Sequence, residues 1–346
     1  MKIFLTGATG YVGNRLALQL AEQGDEVNIL VRDLHSHHLP VAKNIIPFKG
    51  DITDPASIAV AIKGCEQVYH CAAIAKLSSP DKRIFTDVNT RGTKNVLQAS
   101  LDANIQKFVF TSSASVFGPT LNVPFTETSY RIVPFESDYD LSKYEGENLV
   151  REFVSKGLNA VIVNPSRVYG PGPSTYSNAV NRMIRLILHK KILLLPKIDN
   201  YISNYCYIDD VVNGHILAMQ QGIAGENYIL GGENISYGKV LHSIRSCATT
   251  KNQVIKLPVP LLKLIAFVSQ LANSKTEFTP SLITRFARNR LVSSGKAIQR
   301  LGYHITPFSE GIRSTIDHIT NNNYQPKNIN TKFYHYGKDQ VSTRAY

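Results

Sequence analysis

Tyr139 and Lys143 stand four residues apart in Tyr139-Asp140-Leu141-Ser142-Lys143, inside a stretch near 138–157 whose pattern predicts a helix. Positions i and i+4 share a helix face, so the phenol and the ammonium address one site. An ammonium beside a phenol favours the phenolate, which predicts a lowered tyrosine pKa and a group that exchanges a proton near neutral pH. Taken alone, the pair reads better as a surface contact. A second source of chemistry is Phe110-Thr111-Ser112-Ser113-Ala114-Ser115, where a strand-like run at 108–111 gives way to small hydroxyl residues. A hydroxyl at a strand end is placed to donate to a substrate oxygen. Ser112 and Ser115 also read as turn caps, and Ser113 is the candidate catalytic hydroxyl.

The partner for this chemistry is written near the first residues. Thr6-Gly7-Ala8-Thr9-Gly10-Tyr11-Val12-Gly13 follows the apolar run Lys2-Ile3-Phe4-Leu5 and precedes a helix-like pattern near 12–23. A strand, a glycine-rich turn and a helix N-terminus in that order form a cradle for a dinucleotide pyrophosphate, in which backbone N–H groups approach the phosphates. Thr6, Gly7, Gly10, Tyr11, Val12 and Gly13 are therefore candidate cofactor contacts. The second strand candidate, 27–31, ends in Arg32-Asp33. A guanidinium there suits a ribose 2′-phosphate, whereas a carboxylate would accept from ribose hydroxyls, so Arg32 predicts NADP and Asp33 leaves NAD open.

Elements must hold these residues together. Strand candidates at 2–6, 27–31, 45–48, 67–71, 108–111 and 160–163 alternate with helix candidates near 12–23, 55–63, 87–103 and 138–157. The strands are β-branched apolar runs without polar alternation, which predicts an α/β fold with a doubly wound parallel sheet covered on both faces. After Pro165 the rhythm breaks into a Pro/Gly-rich stretch, a helix-like segment at 177–190 and apolar runs at 205–208 and 227–230. The expected organisation is a dinucleotide-binding Rossmann unit over 1–164 with return segments near 204–232, and a smaller C-terminal substrate-binding lobe over 165–320. Residues 321–346, which lack apolar periodicity, read as a surface tail.

The formal net charge is +12, and residues 275–346 carry 11 Lys and Arg against 4 Asp and Glu. No nucleic-acid-binding motif accompanies this charge, so the expected readings are a solvated basic face or contact with an anionic membrane surface. Cys65, Cys71, Cys206 and Cys247 have no metal-ligand or CxxC spacing and read as reduced thiols, with no metal site expected. With a strand at the first residues no leader segment is expected, which points to a cytoplasmic protein. The most apolar segment, 257–272, is short for a membrane span and reads first as a buried helix of the smaller lobe. A lid over an apolar substrate or a peripheral membrane contact is the other reading.

Taken together, the TGxxGxxG loop, Gly50-Asp51-Ile52, His70-Cys71-Ala72-Ala73, Asn89 within Val88-Asn89-Thr90-Arg91-Gly92-Thr93, the Ser113 segment and Tyr139/Lys143 resemble the extended short-chain dehydrogenases/reductases. The likeness continues through Asn164-Pro165-Ser166-Arg167, Tyr207-Ile208-Asp209-Asp210-Val211 and Ser293-Ser294-Gly295-Lys296-Ala297, so that it covers about 1–320. The resemblance implies that Asp51 and Ile52 meet the adenine, Ala72 and Ala73 line the cofactor groove, Asn89 lies near the cofactor and Pro165 sits beside the nicotinamide. It implies hydride transfer in which Tyr139 exchanges the proton, Ser113 steadies the oxygen and Lys143 holds the ribose. Two outcomes compete within such a family: an oxidoreductase acting on a carbonyl or secondary alcohol of a hydrophobic small molecule, as in dihydroflavonol-reductase-like and 3β-hydroxysteroid-dehydrogenase-like members, and a nucleotide-sugar epimerase or dehydratase that retains NAD. Nucleotide-sugar members commonly carry an arginine just before the Tyr207 segment, and Asn200–Cys206 contains none. The first outcome is therefore expected. A binding scaffold without catalysis would not need the Ser113/Tyr139/Lys143 set. Members of the family often form homodimers, a state that no residue here fixes.

Overall fold

In the computed structural model the described residues are 1–321, apart from Ser78, Pro80, Asn122, Tyr176, Ser177, Thr249, Lys251 and 273–278. The tail expected at 321–346 lies outside them except for Asn321, which ends a helix.

Runs of β-branched and aromatic residues form β1 (Lys2–Thr6), β2 (Glu26–Val31), β3 (Ile45–Lys49), β4 (Gln67–His70), β5 (Lys107–Thr111) and β6 (Ala160–Pro165). Between them run α1 (Tyr11–Glu22), α2 (Pro55–Ile62), α3 (Gly92–Asp102) and α4 (Asp138–Ser155). Every residue of β6 is buried, as a strand covered on both faces requires. The helix expected near 87–103 begins instead with a π-helical stretch, Phe85–Arg91, ahead of α3. Asn89 within it is buried and hydrogen-bonded through both its amide oxygen and its amide nitrogen, and π-helical segments, though rare, occur frequently at functional sites.

The main sheet has seven strands in the order β10-β6-β5-β4-β1-β2-β3, all paired in parallel, with β10 (Asn227–Leu230) joining beside β6. The chain winds outward from β1 through β3 and then crosses back to β4, so the order reverses between β1 and β4. Ligands of doubly wound sheets bind at that reversal, beyond the strand C-termini. Two apolar layers, one on each face, are built around Leu16, Val31 and Tyr228 and around Phe4, Phe108 and Ile162.

The remaining elements are β7 (Arg167–Tyr169), α5 (Ala179–His189), β8 (Ile192–Pro196), β9 (Ile202–Tyr207), α6 (Ile208–Gln221), β11 (Glu233–Ser236), α7 (Tyr237–Ala248), β12 (Gln253–Leu257), α8 (Val259–Ala272), α9 (Pro280–Phe286), α10 (Gly295–Leu301) and α11 (Phe308–Asn321). Residues 205–207 of the apolar run end β9, while Ile208 opens α6; β9 pairs with β7 and β11 in a separate three-stranded sheet, and β8 and β12 pair with each other. Helix α8 corrects the expectation of a buried helix. Of residues 259–271 only Ala266 is buried, and Leu261, Leu264, Phe267, Val268 and Leu271 face outward. The physical reason is that, among the described residues, α8 packs chiefly on α9, which covers only one side of its apolar circumference. No helix among the described residues is long and apolar enough to cross a membrane.

Candidate active site

The glycine loop is shaped by close approach. Gly7 has φ +82°, and a Cβ there would lie 2.6 Å from the Ala72 backbone nitrogen; one on Gly13 would lie 2.3 Å from the Gly7 carbonyl oxygen. Any other residue would push the loop off β4 or lift α1 from the turn. Gly10 is the N-cap of α1 and has no side chain to satisfy the first-turn N–H groups, which stay available to an anion. A pyrophosphate fits this cradle.

The candidate cofactor residues divide into those that face this crevice and those that build it. Thr6 is buried, and its hydroxyl shares a 2.6 Å hydrogen bond with His70 Nδ1. Tyr11 is buried too and donates to the Gly170 carbonyl at 2.7 Å, tying the loop to the Pro165–Pro173 segment. Val12 sits half-buried beside it. Arg32 is exposed immediately after β2, whereas the Asp33 carboxylate accepts from the His35 N–H in its own loop. Asp51 accepts from the Thr53 N–H and hydroxyl, and the Ile52 side chain packs into the core against Gly92. Ala72 and Ala73 are half-buried after β4. Asn89, 2% exposed, accepts from the Ile74 N–H and donates to the Ile74 carbonyl and to Ser142 Oγ. It braces the Ala72-Ala73-Ile74 strip against α4. Pro165 closes β6 one strand away from Ser113.

Helix α4 starts at Ser137, whose hydroxyl caps the Asp140 N–H, with Asp138 and Asp140 in the first turn where the helix dipole favours them. That start delivers Tyr139 to the end of β5. The Tyr139 hydroxyl is within hydrogen-bonding reach of Ser113, which itself caps the short 3-10 turn Ala114–Phe117. Ser112 is turned inward and donates to Glu147 at 2.6 Å, so Ser113 is the hydroxyl that faces Tyr139. Lys143 is buried, donates to the Thr111 carbonyl at 2.7 Å and lies over the Phe110 ring.

The expected lowering of the Tyr139 pKa does not occur here. Burial pushes the phenol up to about 12, opposed by its hydrogen bond with Ser113. The perturbed cation is Lys143, which burial pulls down to about 8 while Cys71 and Glu147 oppose the fall. Desolvation disfavours the charged form of both groups, and the ammonium is turned toward the Thr111 carbonyl.

Sequence reasoning missed a charged wall beside Tyr139. Asp140, wholly buried, receives two hydrogen bonds from Arg285 of α9, at 2.5 and 3.0 Å. Glu136 pairs with Arg288 at 2.9 Å and with Arg290. Burial, then neighbouring Arg285, pulls Arg290 down to about 10. Arg167 lies over the rings of Tyr205 and Phe286, which supports a packing role for that residue. The carboxylate–guanidinium partners are 145 to 154 residues apart in the chain, so no local spacing announces them.

The profile of the NAD dependent epimerase/dehydratase family matches residues 3–231. A putative dihydroflavonol 4-reductase of Synechocystis sp. is 28% identical over 338 residues, covering 93% of this chain and 95% of that protein. Sterol demethylase protein B of Methylococcus capsulatus is 29% identical over 301 residues, covering 86% of this chain and 89% of that one. Among solved structures, the crystal structure of gox2253 superposes with a TM-score of 0.78 at 31% identity, covering 93% of this chain and 98% of that one.

Proposed function

The chain belongs to the NAD dependent epimerase/dehydratase family, and from that premise we propose that it reduces the carbonyl of a hydrophobic small molecule, with NADP as the preferred cofactor. The observation that carries this reading is the convergence of Ser113, Tyr139 and Lys143 at the end of β5, the strand next to the β4/β1 reversal at which the glycine cradle follows β1. A bound nicotinamide cofactor supplies the hydride-exchanging carbon. Gly7, Gly10, Gly13 and the first turn of α1 would hold its pyrophosphate, and Arg32 would meet a 2′-phosphate.

The protein's own residues handle the oxygen and its proton. Ser113 donates a hydrogen bond to the substrate oxygen, and Tyr139 holds a proton at Oη for the same oxygen. Burial keeps the phenol protonated across neutral pH, so the proton is present at Oη, and the hydrogen bond with Ser113 acts in the opposite sense, toward a more acidic phenol. Lys143 places a cation behind both and orients the ribose. Substrate apolarity is supported by the lack of arginine in Asn200–Cys206 and by the engagement of Arg285 and Arg288 with Asp140 and Glu136.

One observation favours the second reading, an epimerase or dehydratase of nucleotide-linked sugars. Among the described residues, Arg290 Nε and Nη1 are buried with no hydrogen-bond partner, a reserve of positive charge beside the site. The two readings separate on net cofactor consumption. The purified protein is offered NADPH or NADH with aryl and steroidal ketones, and NAD with UDP-glucose. Stoichiometric consumption of reduced cofactor supports the first reading; sugar isomerisation without net consumption overturns it. Tyr139→Phe should lower turnover by about 10²–10⁴-fold while retaining cofactor binding. Near-wild-type turnover in that variant would remove Tyr139 from the mechanism.

A further inference from the structure

Glu147 lies on α4 four residues beyond Lys143 and eight beyond Tyr139, hence on the same face. It is 3% exposed. A carboxylate so placed is costly unless its oxygens are fully bonded. Here it accepts from Ser112 Oγ at 2.6 Å, Asn164 Nδ2 at 2.7 Å and Arg151 Nη2 at 3.2 Å. The Asn164 amide also donates to the Ser113 carbonyl at 3.2 Å, and its oxygen accepts from Asn227 on β10 at 3.0 Å. Arg151 completes the ring by donating to Asn227 Oδ1 at 2.7 Å. The carboxylate thus clasps the ends of β5 and β6 to the helix that carries Tyr139 and Lys143, and Asn164 and Arg151 extend the network to β10. Ser113 directly follows one clasped residue and Pro165 directly follows another.

Glu147 also faces the charge of Lys143. The titratable groups around that ammonium are His70 and Cys71 at the end of β4, Tyr139 and Glu147 on its own helix, and His215 of α6 across Thr111. Of these, Glu147 is the one whose anion is held in place by three donors.

We infer that Glu147 is a positioning residue of the active site: its buried carboxylate, on the helix face shared by Lys143, fixes the Ser113 and Pro165 backbone against α4. The inference rests on the roles given above to Ser113, Tyr139 and Lys143.

The test uses the full chain with NADPH as probe, and two readouts that do not depend on knowing the substrate. NADPH binding is followed by fluorescence across pH, and backbone hydrogen exchange is read by mass spectrometry. In the wild type, affinity should fall as the pH rises past about 8, where Lys143 loses its proton. In Glu147→Gln that fall should move to lower pH, because of the two groups opposing it, Cys71 and Glu147, the second has lost its charge. Exchange should rise at 112–117 and 164–167 and stay unchanged in α2 and α11. Glu147→Asp keeps the charge on a shorter stem, so it should restore the pH profile while leaving the local exchange raised. Superimposable profiles for wild type and Glu147→Gln, or a uniform rise in exchange over the whole chain, would overturn the inference. Should Glu147→Gln fail to fold, Glu147→Asp and Ser112→Ala carry the test: raised exchange at 112–117 with an unmoved pH profile supports it, and unchanged exchange in both defeats it. Lys143→Met separates the two levels. If that variant binds NADPH like the wild type at every pH, the role of Lys143 itself fails; if it binds weakly and Glu147→Gln matches the wild type, only the present inference fails.

Discussion

Two histidines in the core should make the protein sensitive to mild acid. His70 is fully buried between Thr6 and Thr93, and burial, aided by the Lys143 charge, lowers its pKa from 6.5 to about 3. His215 is equally buried against Thr111 and the Val211 carbonyl; burial lowers it to about 4, opposed by the carbonyl contact. Both folded-state values lie below the unfolded value, so the folded protein refuses protons that the unfolded chain accepts. Their contribution to stability is complete above about pH 6.5 and is lost as the pH falls toward 3 to 4. At pH 5 each histidine costs about 2 kcal/mol relative to pH 7, or about 4 kcal/mol together. With an unfolding entropy of roughly 0.7 kcal/mol/K for a chain of this size, that is a fall in Tm of roughly 6 °C. The assay is thermal unfolding at pH 7 and pH 5 of the wild type, His70→Gln and His215→Gln. Each substitution should remove roughly half of the pH-driven fall, whatever it does to Tm at pH 7. An identical fall between pH 7 and pH 5 in all three proteins would refute the reasoning, because the acid sensitivity would then belong to other groups.

Cofactor choice should follow Arg32: titration with each reduced cofactor is expected to give tighter NADPH binding, and Arg32→Ala should weaken NADPH by about tenfold, the loss of one charge-assisted contact, with little effect on NADH. Tighter NADH binding that Arg32→Ala leaves unaltered would reverse the assignment. Replacing Leu264 and Phe267 of α8 with serine should leave Tm within a few degrees, since both face outward, and should reduce sedimentation with phosphatidylglycerol vesicles if that face rests on an anionic membrane. Absence of vesicle binding in the wild type would dismiss the membrane contact.

Much of the dinucleotide cradle was legible because its determinants are local. Gly7, Gly10 and Gly13 fall within eight residues of Thr6, and the steric demands that require them arise where β1 turns into α1 against β4. Tyr139 and Lys143 were legible for the same reason, since helical periodicity alone sets them on one face. The parallel sheet followed from runs of apolar residues too continuous for a half-exposed strand. The tertiary structure decided what depends on distant chain segments meeting. Local sequence could not assign β9 to a second sheet or leave α8 exposed, because each depends on which surfaces happen to be covered. It could not pair Asp140 with Arg285, Glu136 with Arg290, or Glu147 with Asn164. The direction of the Tyr139 and Lys143 pKa values was likewise a tertiary outcome. Spacing identifies which charges are neighbours, but the loss of solvent around them, which outweighs that proximity here, is fixed only when the strands, α4 and the distant chain segments pack together.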